Sequence, residues 1–480
     1  MTTNNTEAIV LYPSPAIGHL LSMVELGRLI LTHRPSLSIN IILASAPYQS
    51  STTAPYISAI STVTPAITFH HLPPVSAAVN SSHHELIMIE TLRLSLPHLK
   101  RTLQSIITKY DAVHAFVYDF FCSAALSVAD ELGVPGYQFS TSGAACLGFF
   151  LYLPTLHKTT SVSFKDLDNT DLEIPGVPKL PSRDVPKILL DRDDVVYSYF
   201  LEFGTLLPKS AGLIVNSFDS VEEKAVKAIS EGFCVPDGPT PPIYCIGPLI
   251  AAGDDRKSDG GECMTWLDSQ PKRSVVFLCF GSLGIFSKDQ LREIAIGLER
   301  STVRFLWVVR DPPKADGDNQ NLAVLEAVEE GLETLLPEGI LERTKGRGHV
   351  VKSWAPQVAV LNHESVGGFV THCGWNSVLE SVRAGVPMVA WPLYAEQRFN
   401  RVLLVEEIRI ALPMMESDES GFVKADEVER RVKELMESEG RGELVRRQTI
   451  KMKNEARSAV AEGGSSRVAL SQLVDSWRSK

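Results

Sequence analysis

Residues able to bind a polar small molecule are concentrated between Trp354 and Gln397, and each follows a short apolar run. Trp354 ends the run HVVKSW, where an indole offers a flat face for stacking a planar heterocycle, unless it simply packs in the core. His372 ends the run GGFVTH and precedes NSVLESVRAG, which predicts a helix capped by Asn376 or Ser377. The N–H groups and dipole of such a first turn attract anions, so a diphosphate fits there; a plainly capped helix with a core histidine is the alternative.

Two further features of this stretch suit sugar hydroxyls. Glu380 lies about one turn into the predicted helix, on the face below Asn376, within reach of a ribose diol; an exposed helix glutamate is otherwise only a solvated charge. Glu396 and Gln397 follow the apolar run MVAWP, where a carboxylate and an amide can bind sugar hydroxyls. A stacking surface, an anion site, a diol acceptor and sugar acceptors together describe a nucleotide diphosphate sugar.

A second set of residues, in the N-terminal half, suits acid–base chemistry. His19 follows the strand-like run AIVLYP, and an imidazole titrating near neutral pH is a suitable base for a phenol, whose pKa is about 10. Asp119 lies in AFVYDFF, at the end of another predicted strand, and can accept a hydrogen bond from the far ring nitrogen. That contact fixes the tautomer and stabilises imidazolium, as in the serine triad. The alternative is that both residues only cap helices.

These residues must be positioned by parallel sheets, because short β-branched runs alternate with longer helical patterns along the chain. A Pro-, Gly- and Asp-rich stretch beginning at Pro236 marks a linker. We therefore predict an α/β protein with a Rossmann-like domain over 1–245, a linker over 246–262, a second such domain over 263–462, and a C-terminal helix over 463–480 that packs on the first domain. Ligands of such sheets bind at the carboxyl ends of the strands.

Composition removes several classes of function. The 480 residues carry a net charge of −11, which argues against a nucleic-acid partner. No uninterrupted apolar run approaches 18 residues and no signal peptide is evident, so we expect no membrane span. The seven cysteines are scattered without a CxxC pair, which predicts reduced, buried thiols in a cytoplasmic protein.

Missing motifs narrow the chemistry further. No G-x-G-x-x-G follows the first strand, which disfavours a Rossmann-type oxidoreductase, and there is no P-loop, hydrolase elbow or zinc-protease helix. No His, Cys and carboxylate cluster has the spacing of a metal site.

The stretch from Trp354 to Gln397 resembles the 44-residue signature box of plant family 1, the UDP-sugar-dependent glycosyltransferases of secondary metabolism. The segments SPAIGHL, VYDFF and CFGSLG also match, so the resemblance covers nearly the whole chain. It implies two Rossmann-like domains facing across a cleft, the glycosyltransferase-B arrangement, with the donor held by the C-terminal domain and the acceptor by the N-terminal one. It also implies UDP-glucose as co-substrate, no further cofactor, no metal, and a monomer.

The resemblance assigns roles residue by residue. Trp354 would stack on uracil with backbone contacts from Ala355, and Gln357 would bind the ribose together with Glu380. The diphosphate would be held by Ser282, His372, Asn376 and Ser377, the sugar by Trp375, Glu396 and Gln397, and the donor site completed by Gly18, Thr141 and Gly374. Glu396 stands where the family more often has Asp, which lengthens its reach by one methylene. Gln397 and Trp375 favour glucose over galactose and glucuronic acid.

The reaction implied is inverting transfer of glucose to a hydroxyl of a small phenolic acceptor resembling a flavonoid or chalcone, giving a β-O-glucoside. His19 would be the base and Asp119 its partner, and an aromatic acceptor pocket would be lined by Phe120, Phe121, Phe149, Phe150 and Tyr394. C-glucosylation of an electron-rich ring is an alternative within the same fold. Two alternatives lie outside the glycosyltransferases. One is a Rossmann-type oxidoreductase, and the other is a non-catalytic nucleotide-sugar binder, which would not need the His19–Asp119 pair.

Overall fold

The computed structural model describes residues 6–45, 53–75, 84–251, 260–312, 331–417 and 421–477. The chain forms two compact units. Unit 1 consists of Met1–Arg183, Ile188–Ala251 and Ser458–Lys480, and unit 2 of Asp184–Lys187 and Ala252–Arg457. Within the described ranges, no helix is both long and apolar enough to cross a membrane.

Unit 1 is built on a parallel sheet covered by helices. Its strands, with those of a small antiparallel hairpin (β6 and β7), are β1 (Glu7–Tyr12), β2 (Ser38–Leu43), β3 (Ile67–His71), β4 (Ala112–Asp119), β5 (Gly136–Ser140), β6 (Asp171–Leu172), β7 (Leu180–Pro181), β8 (Gly212–Val215) and β9 (Ile243–Cys245). Its first eight helices are α1 (Ile17–His33), α2 (Thr53–Val63), α3 (His84–Leu94), α4 (Leu96–Lys109), α5 (Leu126–Glu131), α6 (Ala144–Thr159), α7 (Val195–Leu206) and α8 (Glu223–Ser230).

The seven strands of the main sheet run in the order β3-β2-β1-β4-β5-β8-β9, with all pairings parallel. Since helices cover both faces, the central strands are apolar throughout; in β1, Ala8 to Tyr12 have no exposed surface. The order reverses direction between β1 and β4, which creates a crevice at the carboxyl ends of these two strands.

Unit 2 repeats this design with six strands among the residues that the structure describes. They are β10 (Val275–Cys279), β11 (Arg304–Val309), β12 (Gly348–Lys352), β13 (Val366–Thr371), β14 (Met388–Ala390) and β15 (Ala411–Pro413). Its helices are α9 (Gly260–Asp268), α10 (Lys288–Ser301), α11 (Leu332–Leu335), α12 (Ile340–Arg343), α13 (Gln357–Asn362), α14 (Trp375–Ala384), α15 (Gln397–Val402), α16 (Ala425–Met436) and α17 (Gly440–Val460). The parallel order β12-β11-β10-β13-β14-β15 puts the reversal between β10 and β13. The predicted α/β class with two Rossmann-like domains is confirmed.

Local sequence fixes the helix that matters most for the site. Helix α14 starts directly after Gly374 and ends at Gly385, which adopts the left-handed conformation (φ 78°) and donates its N–H to Ser381 O. The helix therefore begins three residues after His372, at the carboxyl end of β13.

The last helix, α18 (Ser465–Ser476), belongs to unit 1. Leu470, Leu473 and Val474 are buried in the same apolar cluster as the residues of β1 and α1. Tyr137 and Ser476 add a hydrogen bond between their hydroxyls at 3.0 Å. The C-terminal helix thus covers one face of the sheet of unit 1.

The chain passes between the two units at several points. The chain passes from unit 1 to unit 2 between Ala251 and Ala252, within the predicted linker, and back at Ser458. The short segment Asp184–Lys187, which the sequence analysis placed in the first domain, belongs to unit 2. An ion pair connects this segment to α15: Asp184 Oδ1 lies 2.6 Å from a guanidinium nitrogen of Arg401.

Candidate active site

The predicted base and its partner meet at the crevice of unit 1. His19 lies in the first turn of α1, just past β1, and Asp119 is the last residue of β4. The side chains join at 2.8 Å between His19 Nδ1 and Asp119 Oδ2. Asp119 is fully buried and His19 is 24% exposed. With the Nδ1 hydrogen donated to the carboxylate, the neutral ring carries its lone pair on Nε2, which is the atom that can take a proton from an acceptor.

Asp119 is itself held in place. Its second carboxylate oxygen accepts the backbone N–H of Phe121 at 3.2 Å, so the carboxylate starts the short helical turn after β4 as well as orienting the histidine. The sequence analysis offered capping and catalysis as alternatives for Asp119; the structure shows that one side chain makes both contacts.

Two residues predicted to bind the donor lie in unit 1. Thr141 Oγ1 is 3.3 Å from His19 Nδ1, so its described contact is with the proposed base. Gly18 precedes the histidine in α1, and its carbonyl accepts from the Ser22 hydroxyl at 3.2 Å.

Glu222 organises the segment that carries Thr141 and was missed by sequence reasoning. Its buried carboxylate accepts the backbone N–H groups of Ala144 at 2.8 Å and Ala145 at 2.9 Å, and the hydroxyl of Ser217. It therefore caps the start of α6 from a position 78 residues away along the chain. Burial raises the pKa of Glu222, and these hydrogen bonds oppose the rise. No local pattern could reveal this contact, because it depends on tertiary proximity.

The aromatic residues predicted to line an acceptor pocket divide into surface and core. Phe121 is half-buried and meets the ring of His19 edge-on, with centroids 5.7 Å apart. Phe120 and Phe150 pack on each other at 4.6 Å and are buried. Phe149 is 0% exposed, so in this conformation it cannot contact an acceptor, which corrects its predicted role as a lining residue. The cluster is completed by two residues of α7 that the sequence analysis did not name, Phe200 and Phe203.

Tyr394, also predicted for the acceptor pocket, belongs to unit 2. Its ring packs against His372 with centroids 6.0 Å apart, and its backbone N–H donates to Gln397 Oε1 at 2.9 Å. Burial raises the pKa of its hydroxyl to about 12. Its described contacts are therefore with predicted donor-site residues.

In unit 2, the predicted donor residues gather at the carboxyl ends of the strands. Ser282 follows β10 by three residues, His372 follows β13, and Asn376 and Ser377 lie in the first turn of α14. The adjacent ends of β10 and β13 thus bring two distant segments of sequence to one crevice.

The His372 ring packs closely against the backbone of two glycines, Gly281 and Gly374. A side chain at Gly281 would place its Cβ 2.6 Å from His372 Nε2, and one at Gly374 would place it 2.5 Å away. The imidazole is 6% exposed, and burial lowers its pKa to about 4. Within the described part of the chain, Nδ1 has no hydrogen-bond partner. A neutral, buried imidazole with an unused nitrogen, beside a helix N terminus, is suited to binding an anion.

Gln357, Ser377 and Glu380 form one hydrogen-bonded group. Gln357 Nε2 donates to Ser377 Oγ at 2.9 Å and to Glu380 Oε2 at 2.7 Å. Burial raises the pKa of Glu380 to about 7, which the bond from Gln357 partly offsets. Glu380 is therefore not the solvated helix charge that was its alternative interpretation.

The two tryptophans of the stretch differ in exposure. Trp354 is 38% exposed, an unusual value for so large an apolar side chain, and Ala355 beside it is buried. Trp354 therefore has a ring surface available for stacking. Trp375 is only 2% exposed, so its indole packs in the interior at the start of α14 and offers little surface to a sugar.

Glu396 and Gln397 lie at the start of α15. Gln397 Oε1 accepts the N–H groups of Leu393 and Tyr394, each at 2.9 Å, which holds the loop after β14 against the helix. Asn400, one turn on and also missed by sequence reasoning, donates to Cys373 O at 2.9 Å and to Glu396 Oε1 at 3.4 Å. These bonds connect the proposed sugar-binding residues to the loop that carries His372.

No group of three or more His, Cys, Asp or Glu side chains that could hold a metal ion occurs among the residues that the structure describes. None of the seven cysteines, all of which lie in the described ranges, forms a disulfide.

Comparison with known proteins gives this geometry a context. Residues 235–438 match the family model described as UDP-glucoronosyl and UDP-glucosyl transferase. The chain is 50% identical to UDP-glycosyltransferase 88B1 of Stevia rebaudiana over 98% of its length and 99% of that protein. It is 48% identical to an anthocyanidin 5,3-O-glucosyltransferase of a Rosa hybrid cultivar, with 99% of each chain covered.

A solved structure shows the same architecture. The structure of Phytolacca americana UGT2 complexed with UDP-2fluoro-glucose and pterostilbene superposes with a TM-score of 0.87 at 37% identity, covering 98% of this chain and 100% of that one. Identity near one half to these glycosyltransferases over the full length excludes the oxidoreductase and the non-catalytic binder that were considered from the sequence. The chain therefore belongs to the family of UDP-sugar-dependent glycosyltransferases and is an enzyme of that family.

Proposed function

We propose that the protein transfers glucose from UDP-glucose to a hydroxyl of a small phenolic acceptor, with inversion, to give a β-O-glucoside. The observation that carries this proposal is the 2.8 Å bond between His19 Nδ1 and Asp119 Oδ2, which points a basic nitrogen away from a buried carboxylate. This is the arrangement needed to activate a weakly acidic hydroxyl at neutral pH.

The reaction proceeds in one displacement. His19 Nε2 removes the phenolic proton as the acceptor oxygen attacks the anomeric carbon of glucose. The bond from that carbon to the UDP oxygen breaks, and its electron pair leaves with UDP. Attack from the face opposite UDP converts an α-linked donor into a β-linked product. Asp119 stabilises the imidazolium that forms and keeps the ring in its orientation.

The donor is bound by unit 2 in this proposal. Trp354 supplies a stacking surface for uracil, and Glu380, held by Gln357, accepts from the ribose diol. The diphosphate lies at the start of α14, where backbone N–H groups, Ser377 and the unused nitrogen of His372 donate to it. These donors are fixed before the reaction, so they stabilise the leaving charge without reorganising.

Metal independence is part of the proposal. It is supported by the presence of neutral donors at the diphosphate position: the start of α14, the Ser282 and Ser377 hydroxyls, and a histidine that is uncharged at neutral pH because its pKa is about 4. Charge stabilisation of the leaving group is thereby assigned to the protein itself.

Glucose as the sugar, and a phenol as the acceptor, are supported by separate features. Gln397, which favours glucose in proteins that this chain resembles, is fixed by two backbone N–H groups. The anthocyanidin in the name of the rose relative is phenolic, and so is the pterostilbene bound by Phytolacca americana UGT2. Phe121, edge-on to the His19 ring, supplies an aromatic contact next to the base.

We also propose that the enzyme works as a monomer in the cytoplasm. The support for the compartment is that none of the seven cysteines forms a disulfide, as expected in a reducing environment.

The decisive experiment is mass spectrometry after incubation with UDP-glucose and a panel of phenols. The expected product gains one hexose, which mild acid removes. Faster turnover with UDP-galactose or UDP-glucuronate would contradict the donor assignment. An acid-stable hexose would indicate C-glucosylation, and absence of any hexosylated phenol would refute the acceptor class.

A further inference from the structure

Arg310 lies at the donor crevice but is absent from the residues so far assigned to it. It directly follows β11, the strand adjacent to β10, and is half-buried. Its Nη1 lies 3.5 Å from the carbonyl oxygen of Gly281, the residue before Ser282 and the one whose Cα faces the His372 ring. The guanidinium therefore lies at the same strand ends as the proposed diphosphate ligands.

Among the residues that the structure describes, none neutralises the charge of Arg310. No carboxylate in the ranges covered by the structure forms an ion pair with it, whereas Lys352, at the end of the next strand, pairs with Asp311 at 3.1 Å. A partly buried guanidinium without a counter-charge is unfavourable unless an anion occupies the adjacent space.

The positive charge of Arg310 acts on groups on both sides of the proposed donor crevice. It acts to lower the pKa of Cys279, at the end of β10, which burial raises to about 11. It acts in the same direction on Tyr394, whose ring packs against His372. Arg310 therefore faces the space between the end of β10 and His372, where the diphosphate is proposed to bind.

The residues so far assigned to the donor site include no cation. The proposed donor ligands include two carboxylates, Glu380 and Glu396, and His372 is neutral because its pKa is about 4. None of them is a cation at neutral pH. A bound diphosphate carries two negative charges, and its charge increases as the glycosidic bond breaks, so dipoles alone would have to balance it.

We propose that Arg310 binds the donor diphosphate and stabilises the negative charge that develops on the departing UDP. This inference rests on the proposed function for its substrate. It assigns a full positive charge to a site otherwise composed of hydroxyls, an amide, a neutral imidazole and a helix N terminus.

The test compares UDP with uridine in calorimetric titrations of Arg310→Gln, Arg310→Lys and the wild type. A charge-assisted hydrogen bond is worth roughly 10- to 100-fold in affinity, so Arg310→Gln should weaken UDP by about that factor. Uridine lacks phosphates, and its affinity should stay within about twofold of wild type, because only a phosphate contact is removed. Arg310→Lys keeps the positive charge but loses the planar, two-pronged donor geometry of the guanidinium. Its UDP affinity should therefore lie between those of Arg310→Gln and the wild type.

Arg300→Gln is the matched control, because Arg300 is exposed and already paired with Asp426 at 2.8 Å. It should bind UDP as the wild type does. The inference is overturned if folded Arg310→Gln retains wild-type UDP affinity, or if UDP and uridine weaken together, which would indicate a structural role.

Turnover separates this inference from the proposed function. With UDP-glucose, Arg310→Gln should lose kcat as well as affinity, since the leaving group carries more charge in the transition state. If the wild type transfers no glucose to phenols yet its UDP affinity depends on Arg310, the proposed function fails and the diphosphate contact stands.

Discussion

Replacing His19 by alanine should abolish most of the activity while leaving the donor site intact. General base catalysis is worth roughly 10²- to 10⁴-fold, so kcat should fall by about that factor on a phenol of ordinary acidity. UDP affinity should remain close to wild type, because the residues proposed to bind uracil, ribose and diphosphate belong to unit 2, whereas His19 belongs to unit 1.

The effect of Asp119→Asn follows from its geometry. The carboxylate accepts a 2.8 Å charge-assisted hydrogen bond from His19, and this bond becomes an ion pair once the ring is protonated. Such a bond is worth about 1.5–3 kcal/mol, which corresponds to roughly 10- to 100-fold in kcat, less than the loss of the base itself. Because Asp119 acts through His19, the double variant His19→Ala/Asp119→Asn should be no slower than His19→Ala alone within a few-fold.

The assay is steady-state and single-turnover product formation over a series of phenols of decreasing pKa, with UDP titrations as the binding control. The defect of His19→Ala should shrink as the phenol becomes more acidic, because more of the acceptor is already ionised. Near-normal kcat for His19→Ala on an ordinary phenol would refute the base assignment. Strictly additive losses in the double variant would refute the partnership between the two residues.

Three further predictions concern the rest of the site. UDP-glucose affinity should fall about tenfold between pH 8 and pH 6 in calorimetry, since the Glu380 carboxylate proposed to accept from the ribose has its pKa raised to about 7 and becomes protonated over this range; Glu380→Gln should remove that dependence, and a wild-type affinity that is flat with pH would contradict the assignment. Glu222→Ala leaves the N–H groups of Ala144 and Ala145 without their buried acceptor, so urea unfolding should show a loss of roughly 2–5 kcal/mol; a loss below about 1 kcal/mol would mean that water replaces the carboxylate. A chelator should leave turnover unchanged in the product assay, whereas activity lost on chelation and restored by magnesium or manganese would contradict the metal-independent mechanism.

Much of the architecture could be predicted because the relevant signals are local. Apolar runs such as AIVLYP and VVFLC become central strands, since a strand buried on both faces must be apolar along its whole length. Gly385 ends α14 because only a residue tolerant of positive φ fits there. The predicted positions of His19 and Asp119 at strand ends follow from the same periodicity, and so does the α/β class.

Other features depend on residues far apart in sequence, and local pattern is silent about them. Glu222 lies 78 residues from the helix start that it caps, and Asp184 lies 217 residues from Arg401, with which it forms an ion pair. Phe149 matches the aromatic composition of a ligand pocket, yet it has no exposed surface and its ring packs against Phe150.

By itself, the sequence determined the residue types available for chemistry and the succession of strands along the chain that carry them. Both follow from side-chain identity and short-range periodicity. Only the tertiary structure decided the contacts and the charges. The adjacency of β1 and β4 closes the His19–Asp119 bond, and that of β10 and β13 brings Gly281 under His372. Burial, a property of the packed fold, makes His372 neutral and raises the pKa of Glu380 to about 7.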